Sequence, residues 1–374
     1  MLRKFLPGTP FRMLAVLCGA VVLLATCRPD KDEPAAPAPP PVDPGPQPEV
    51  TFDPALGPHA TLSAYGFFTG PLKDLQPIAR VLPYDLIDPL FTDYAKKQRH
   101  VWLPPDSRAT WNGADRVFEF PDGAILIKTF YYEHVQPSDE RRIIETRLMY
   151  RWGGEWHFAN YVWNPEQTEA YLDLDGSYTS VAWVDDEGNA HETDYRIPAE
   201  AECGSCHKYQ GEHAIVGPKP RNLARAYTYA DGPAQQLQRW VDHGILDELP
   251  SVDPMPDWRD ATVPVQERVR AYLDINCAHC HSASGYCSYR PMRFAWEETT
   301  DPVNLGICVE PHDPIAPGVN HIVARTRPDR SMMVYRMAST EVSVRMPLLG
   351  RSLVHEEALS LIETWISGLE PPCP

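Results

Sequence analysis

The sequence predicts a multidomain protein, in which an amino-terminal antiparallel β sandwich or barrel is followed by a mainly α region. Three observations predict it. From about Thr51 to Ile197 apolar and polar residues alternate, the period of a half-buried strand. After Pro198 the apolar residues recur at helical spacing, between long irregular stretches. Residues Pro34 to Pro48 hold eight prolines, a composition that stays extended and cannot build a core. The boundaries follow: 1–27 as an export signal, 28–50 as a linker, 51–198 as the β domain, and 199–262 and 263–374 as two further segments.

At the amino terminus, Arg3, Lys4 and Arg12 precede an uncharged apolar run from Met13 to Thr26. That order belongs to an export signal, and the run is short for a bilayer span. It ends in Leu24-Ala25-Thr26-Cys27, which resembles the lipobox of bacterial lipoproteins, with Thr26 a departure from the usual small residue. The resemblance implies a lipid on Cys27 and a membrane-anchored protein on the periplasmic side. The proline-rich stretch would then be its spacer.

In the β region, Ile144, Thr146, Leu148, Tyr150 and Trp152 alternate with Glu145, Arg147 and Arg151, and Trp156, Phe158 and Val162 resume the pattern. Gly153-Gly154 between them predicts a two-residue hairpin. Asp122-Gly123 is read as a second turn, before the β-forming stretch Ile125 to Tyr132, and Gly188-Asn189 as a third. Asp173-Leu174-Asp175-Gly176 looks like the start of a calcium loop but lacks the later ligands, so it is read as a turn. His59, His100, His134, His157 and His191 show no metal-ligand spacing and are read as structural or surface residues.

Beyond Pro198, a helix is expected to start near Pro233, bury Leu237, Trp240 and Val241, and close at Gly244. A second is expected from about Val265 to Asn276 and a third from about His355 to Ser367. The chain has 374 residues and a formal net charge of -17, which repels phosphate and argues against a nucleic-acid binder. A basic protein partner suits that charge.

Cys203-Gly204-Ser205-Cys206-His207 and Cys277-Ala278-His279-Cys280-His281 both read Cys-x-x-Cys-His. Two thiols at this spacing can each form a thioether to one porphyrin, and the adjacent histidine then reaches the iron. Random placement of the 9 Cys and 13 His yields roughly 0.008 matches, so two are not coincidence. A four-cysteine zinc site normally brings its pairs within about 15–20 residues, and 70 residues lie between Cys206 and Cys277. A thioredoxin-like dithiol leaves the trailing histidines unexplained. The expected cofactors are therefore two covalently bound haem c groups, with His207 and His281 as iron ligands.

The order of helix, second motif, Met346-Pro347 and closing helix resembles a class I cytochrome c domain. It implies that Met346 is the sixth ligand of the second haem, with Met292, Met332, Met333 and Met337 as competitors. For the first haem, Gly217-Pro218 resembles the segment that walls a cytochrome c haem. Met255 is its methionine candidate; His213, His243 and an open sixth position are the alternatives. From Pro83 onward the chain resembles a family of bacterial two-haem c-type cytochromes with an amino-terminal β domain. The residues that carry it are Pro83-Tyr84-Asp85-Leu86, Pro89-Leu90-Phe91-Thr92-Asp93-Tyr94, Arg270 to Cys277 and Met346 to Ser352. The resemblance implies electron transfer between redox proteins. The rival readings are a two-haem peroxidase and a β domain that oxidises a substrate with the haems as acceptors. Among the remaining cysteines, a Cys287–Cys308 disulfide is expected, with Cys373 as the odd thiol or alternative partner.

Overall fold

The computed structural model describes residues 49–374, and the expected export signal, Cys27 and nearly all of the proline-rich linker lie outside them. Two short strands, β1 (Phe68–Thr69) and β2 (Gln76–Pro77), pair with each other. The main sheet has eight antiparallel strands: β3 (Leu82–Tyr84), β4 (Lys96–Trp102), β5 (Ile125–Val135), β6 (Glu140–Trp152), β7 (Glu155–Trp163), β8 (Ala170–Leu172), β9 (Ser177–Val184) and β10 (Ala190–Ile197). They run β3-β4-β5-β6-β7-β8, and the β9-β10 hairpin joins the far end of β5 through Val135 and Trp183. Gly153 and Gly154 make the expected two-residue turn, with φ of 61° and 83°, the doubly left-handed backbone that a type I′ hairpin demands. Asp122-Gly123 makes the expected turn into β5, closed by the Ala124 amide donating to the Pro121 carbonyl at 3.1 Å, and the Asp122 carboxylate accepts from the Gly154 amide at 3.1 Å.

One face of this sheet carries Ile125, Ile127, Leu148, Tyr150, Ala159 and Tyr161, and residues 62–81 cover it with Leu62, Tyr65, Phe67, Leu75 and Ile78. The cover is mostly irregular chain, so the sheet has a one-sided lid where a sandwich or barrel was expected. Alternation places Leu126, Lys128, Arg147, Met149, Phe158 and Asn160 on the opposite face. That face is covered too, by the second half of the chain.

The second half corrects the mainly α expectation. Its helices are α1 (Glu200–Cys203), α2 (Pro220–Leu223), α3 (Gln236–Asp242), α4 (Val265–Asn276), α5 (Met332–Ala338) and α6 (Glu356–Ser367), none longer than 12 residues. Two small hairpins accompany them, β11 (Lys208–Tyr209) with β12 (Glu212–His213) and β13 (Ala226–Tyr229) with β14 (Gly232–Gln235). Between motif two and α5 the chain is punctuated by Pro291, Pro302, Pro311, Pro314, Pro317 and Pro328, each of which removes an amide donor and breaks a helix. Pro233 pairs within β14, so α3 starts three residues later than its position suggested. Helices α4 and α6 fall where expected and pack on each other through Val269, Tyr272, Leu273, Leu361, Ile362 and Trp365.

The described residues belong to one compact unit. Segment 199–262 has no separate core: Leu223, Leu237, Trp240 and Leu246 pack with Leu82, Val101, Phe118 and Leu126 of the β region. Among the described residues, no helix is long and apolar enough to cross a membrane. The disulfide is Cys308–Cys373, which closes 65 residues, and Cys287 is a buried free thiol. This corrects the Cys287–Cys308 expectation. The Cys287 amide instead donates to the Cys280 carbonyl at 2.9 Å, which commits that loop to motif two. Asp173 folds as the expected turn, its carboxylate accepting from the amides of Asp175 and Gly176 and the hydroxyl of Ser177.

Candidate haem cleft

A cleft of about 300 Å³ opens above the second face of the sheet. Its floor is Arg99 of β4, Leu126 and Lys128 of β5, Arg147 and Met149 of β6, and Phe158 and Asn160 of β7. Residues of both motifs form its walls together with Val216-Gly217-Pro218, where Gly217 approaches Leu86 and, on α4, Ile275. The α3 helix stands behind this layer, with Trp240 packed against Tyr84, Phe118 and Phe120.

The first motif starts on α1, which Glu202 ties down by accepting from the Ala199 amide and pairing with Arg196 at 2.6 Å. The amides of Cys206 and His207 both donate to the Cys203 carbonyl, at 3.2 and 2.9 Å, so a single helical turn gathers the three side chains. His207 Nδ1 lies 2.9 Å from the Ala214 carbonyl and donates to it. That bond selects the tautomer whose Nε2 carries a free lone pair, the form an iron ligand needs. Phe158 packs its ring against the imidazole at a centroid distance of 5.3 Å. Burial pushes the His207 pKa down to about 4, so the ring is neutral at pH 7.

The second motif repeats the turn at the end of α4. The Cys277 amide donates to the Leu273 carbonyl, and those of Cys280 and His281 donate to the Cys277 carbonyl at 3.2 and 2.9 Å. His281 is 9% exposed, packs on Phe294 at 5.4 Å, and is likewise pushed by burial to about 4. Its Nδ1 is buried without a protein partner. The two motifs touch: ligand atoms of Cys206, His279 and Cys280 all lie within 4.8 Å of one another. The Cys280 thiol donates to the Ser205 carbonyl at 3.6 Å, and the closeness of the Cys206 and Cys280 thiols draws the first pKa down and the second up. Burial pushes Cys203 up to about 11 and Cys277 up to about 12.

Met346 lines the cleft, together with Met292, Met332, Met333 and Met337. Its loop is held by Arg351, which is 5% exposed and donates to the carbonyls of Met346, Leu353, Arg336, Met337 and Ser339. Asp93, from the loop before β4, accepts from the amides of Ser352 and Leu353 at 2.7 and 2.8 Å. Met255 lies elsewhere, buried among Trp258, Val269, Tyr272 and Trp365, and is not among the residues lining the cleft. His213 stands beside the first motif: its Nδ1 donates to the Trp156 carbonyl at 3.0 Å, and a Cβ on Gly204 would sit 3.2 Å from its Nε2. His243 caps α3 at the exposed surface, near Arg239.

No family model, curated protein or solved structure matches the chain. The donor chemistry of the cleft is therefore the measure of what it can hold. The four motif thiols, none of them in a disulfide, a histidine with its Nδ1 engaged and a second with its Nδ1 unpartnered, and a lining of six methionines fit two thioether-linked haems. Periodicity alone missed Arg99, Lys128, Arg147, Arg351 and Asp93. Strand alternation puts Lys128 and Arg147 each on one face of its strand, but only the register shows that they share it.

Proposed function

We propose that this chain is a c-type cytochrome that carries two covalent haems and passes electrons between redox proteins. The observation that carries the reading is the convergence of two complete Cys-x-x-Cys-His motifs on one cleft, with their thiols in contact across 70 intervening residues. Cys203, Cys206 and His207 would hold one haem, and Cys277, Cys280 and His281 the other. Bound haem supplies one-electron chemistry at its iron.

The protein supplies the rest. The Ala214 carbonyl orients His207, and Phe158 and Phe294 wedge the two imidazoles. Six methionines line the space with soft thioether donors, a property that favours a closed iron for electron transfer over an open one for peroxide. The Cys308–Cys373 disulfide supports work in an oxidising compartment, in keeping with an exported protein whose Cys27 anchors it to the membrane. The net charge of -17 supports basic redox partners.

The mass of the denatured protein and its pyridine haemochrome spectrum test this reading. Two covalent haems are expected; none would end it. A second reading has its own observation, since Cys206, His279 and Cys280 could hold a zinc ion. Three ligands fall one short of a closed tetrahedral set and leave His207 and His281 unused. Stoichiometric zinc with no haem would establish it.

A further inference from the structure

The floor of the cleft holds a feature that thioether attachment does not use. In the ladder register Arg99 of β4 pairs with Lys128 of β5, Lys128 with Arg147 of β6, and Arg147 with Asn160 of β7. These four residues form one row across four strands, and all line the cleft. One step along the strands, Lys97, Phe130 and Glu145 form the next row on the same face. Lys97 Nζ, Lys128 Nζ and the Arg147 guanidinium stand 6.0, 4.8 and 4.5 Å from the centre of the Phe130 ring.

Like charges directly opposite one another destabilise a sheet, and burying a charge without a partner costs more. Four basic side chains are gathered here in a chain whose net charge is -17, and burial pushes the pKa of Lys97 down to about 7. Two carboxylates answer them: Asp85 accepts from Arg99 at 2.7 Å, and Glu145, fully buried, takes the Arg147 fork at both oxygens. Among the described residues Lys97 and Lys128 have no ion-pair partner. Arg99, its side chain 4% exposed, keeps Nη2 buried and unpartnered. Glu202, also on the cleft wall, is engaged by Arg196, and Asp93 by Ser352 and Leu353. The three basic groups of the row thus outnumber its two carboxylates by one, and burial beside Arg99, Lys97 and Arg147 pushes the Lys128 pKa well down, so the row lacks a partner for Lys128.

We propose that the row of Arg99, Lys128 and Arg147 is a carboxylate-binding site that seats the propionates of the bound porphyrins. The inference rests on the two-haem reading. Arg99 Nη2 is free to donate to a carboxylate and Lys128 adds a point charge, while Arg147, its fork held by Glu145, adds positive field, so the floor would fix the carboxylate edge while the cysteines fix the vinyl edge. A cation at that edge favours the electron-rich reduced iron and so raises its potential. The same chemistry could serve a free dicarboxylate, and the test separates the two.

Lys128→Met keeps the stem and removes the charge, and Lys128→Arg keeps the charge. Haem content by mass comes first, followed by equilibrium redox titration of wild type and both variants. The expected result is two haems in all three proteins. In Lys128→Met alone, the reduction equilibrium of at least one haem shifts about tenfold toward the oxidised form, or 59 mV for one electron. Full haem content with unmoved potentials would overturn the row's role and leave the two-haem reading standing. Absence of haem from the wild type would remove both. If succinate raises the melting temperature of the wild type but not of Lys128→Met, and potentials do not move, the row serves a free carboxylate and the porphyrin assignment is overturned.

Discussion

The thiols of Cys206 and Cys280 lie within 4.8 Å of each other, so the last cysteines of two distant motifs meet at the wall of one cleft. Each motif is a single turn closed on a cysteine carbonyl, Cys203 in one and Cys277 in the other. Local hydrogen bonds therefore shape each motif, whereas packing on the sheet and on α6 brings them together.

Met346→His should abolish the near-infrared thioether-to-iron band of the oxidised protein and lower the potential of the second haem. Band and potential both unchanged would show that Met346 is not a ligand. The same substitution at Met333 or Met337 would then find the residue that is.

Arg351→Gln should destabilise the protein by about 3 kcal/mol or more, because five carbonyls lose a buried charged donor at once. Chemical denaturation measures it. Asp93→Asn should show a smaller loss of the same kind, since an amide oxygen can still accept from Ser352 and Leu353.

Replacing Cys308 and Cys373 together by serine should cost about 4 kcal/mol, the chain-entropy value for a closed loop of 65 residues. Peptide mapping without reductant should recover the two as a joined pair and Cys287 alkylated. A Cys287–Cys308 peptide in their place would contradict the pairing.

Stability should fall as the pH drops below about 6.5. Burial pushes His100 down to about 3 in the folded chain, and neither ring nitrogen has a partner. In the unfolded chain the ring protonates near pH 6.5. The sign follows: above 6.5 both states are neutral, and between 6.5 and 3 the unfolded state gains the proton and stability is lost. At pH 4.5 the loss from His100 is about 3 kcal/mol. His100→Phe should fold at pH 7 and show a shallower acid decline; an unchanged decline would exonerate this residue.

Electron transfer to a basic cytochrome should slow as salt is raised, since the charge of -17 steers the encounter. Stopped-flow mixing at increasing ionic strength checks it, and a flat profile would remove the steering argument. Rapid turnover of hydrogen peroxide with a high-spin resting iron would favour the peroxidase reading instead.

Local chemistry was legible. The Gly153-Gly154 turn, α4 and α6 each follow from a few neighbouring residues, because backbone sterics and a 3.6-residue stripe act over short range. The polar face of β6 was not. Glu145 and Arg147 alternate with apolar residues as if they faced water, yet Glu145 is fully buried and Arg147 lines the cleft. Alternation shows that two faces differ in polarity, and it does not show which of them meets solvent.

By itself, then, the sequence determined the two Cys-x-x-Cys-His motifs, the strands and turns of the β region and the two longest helices, all matters of near-neighbour spacing. Only the tertiary structure decided that segment 199–262 packs onto the sheet, that Met255 leaves the cleft while Met346 enters it, and that Cys308 takes Cys373 as its partner. It also decided that Arg99, Lys128 and Arg147 stand in one row. The physical reason is common to all four. Each depends on which distant surfaces exclude water together, and the free energy of that burial depends on area and fit, which no local spacing encodes.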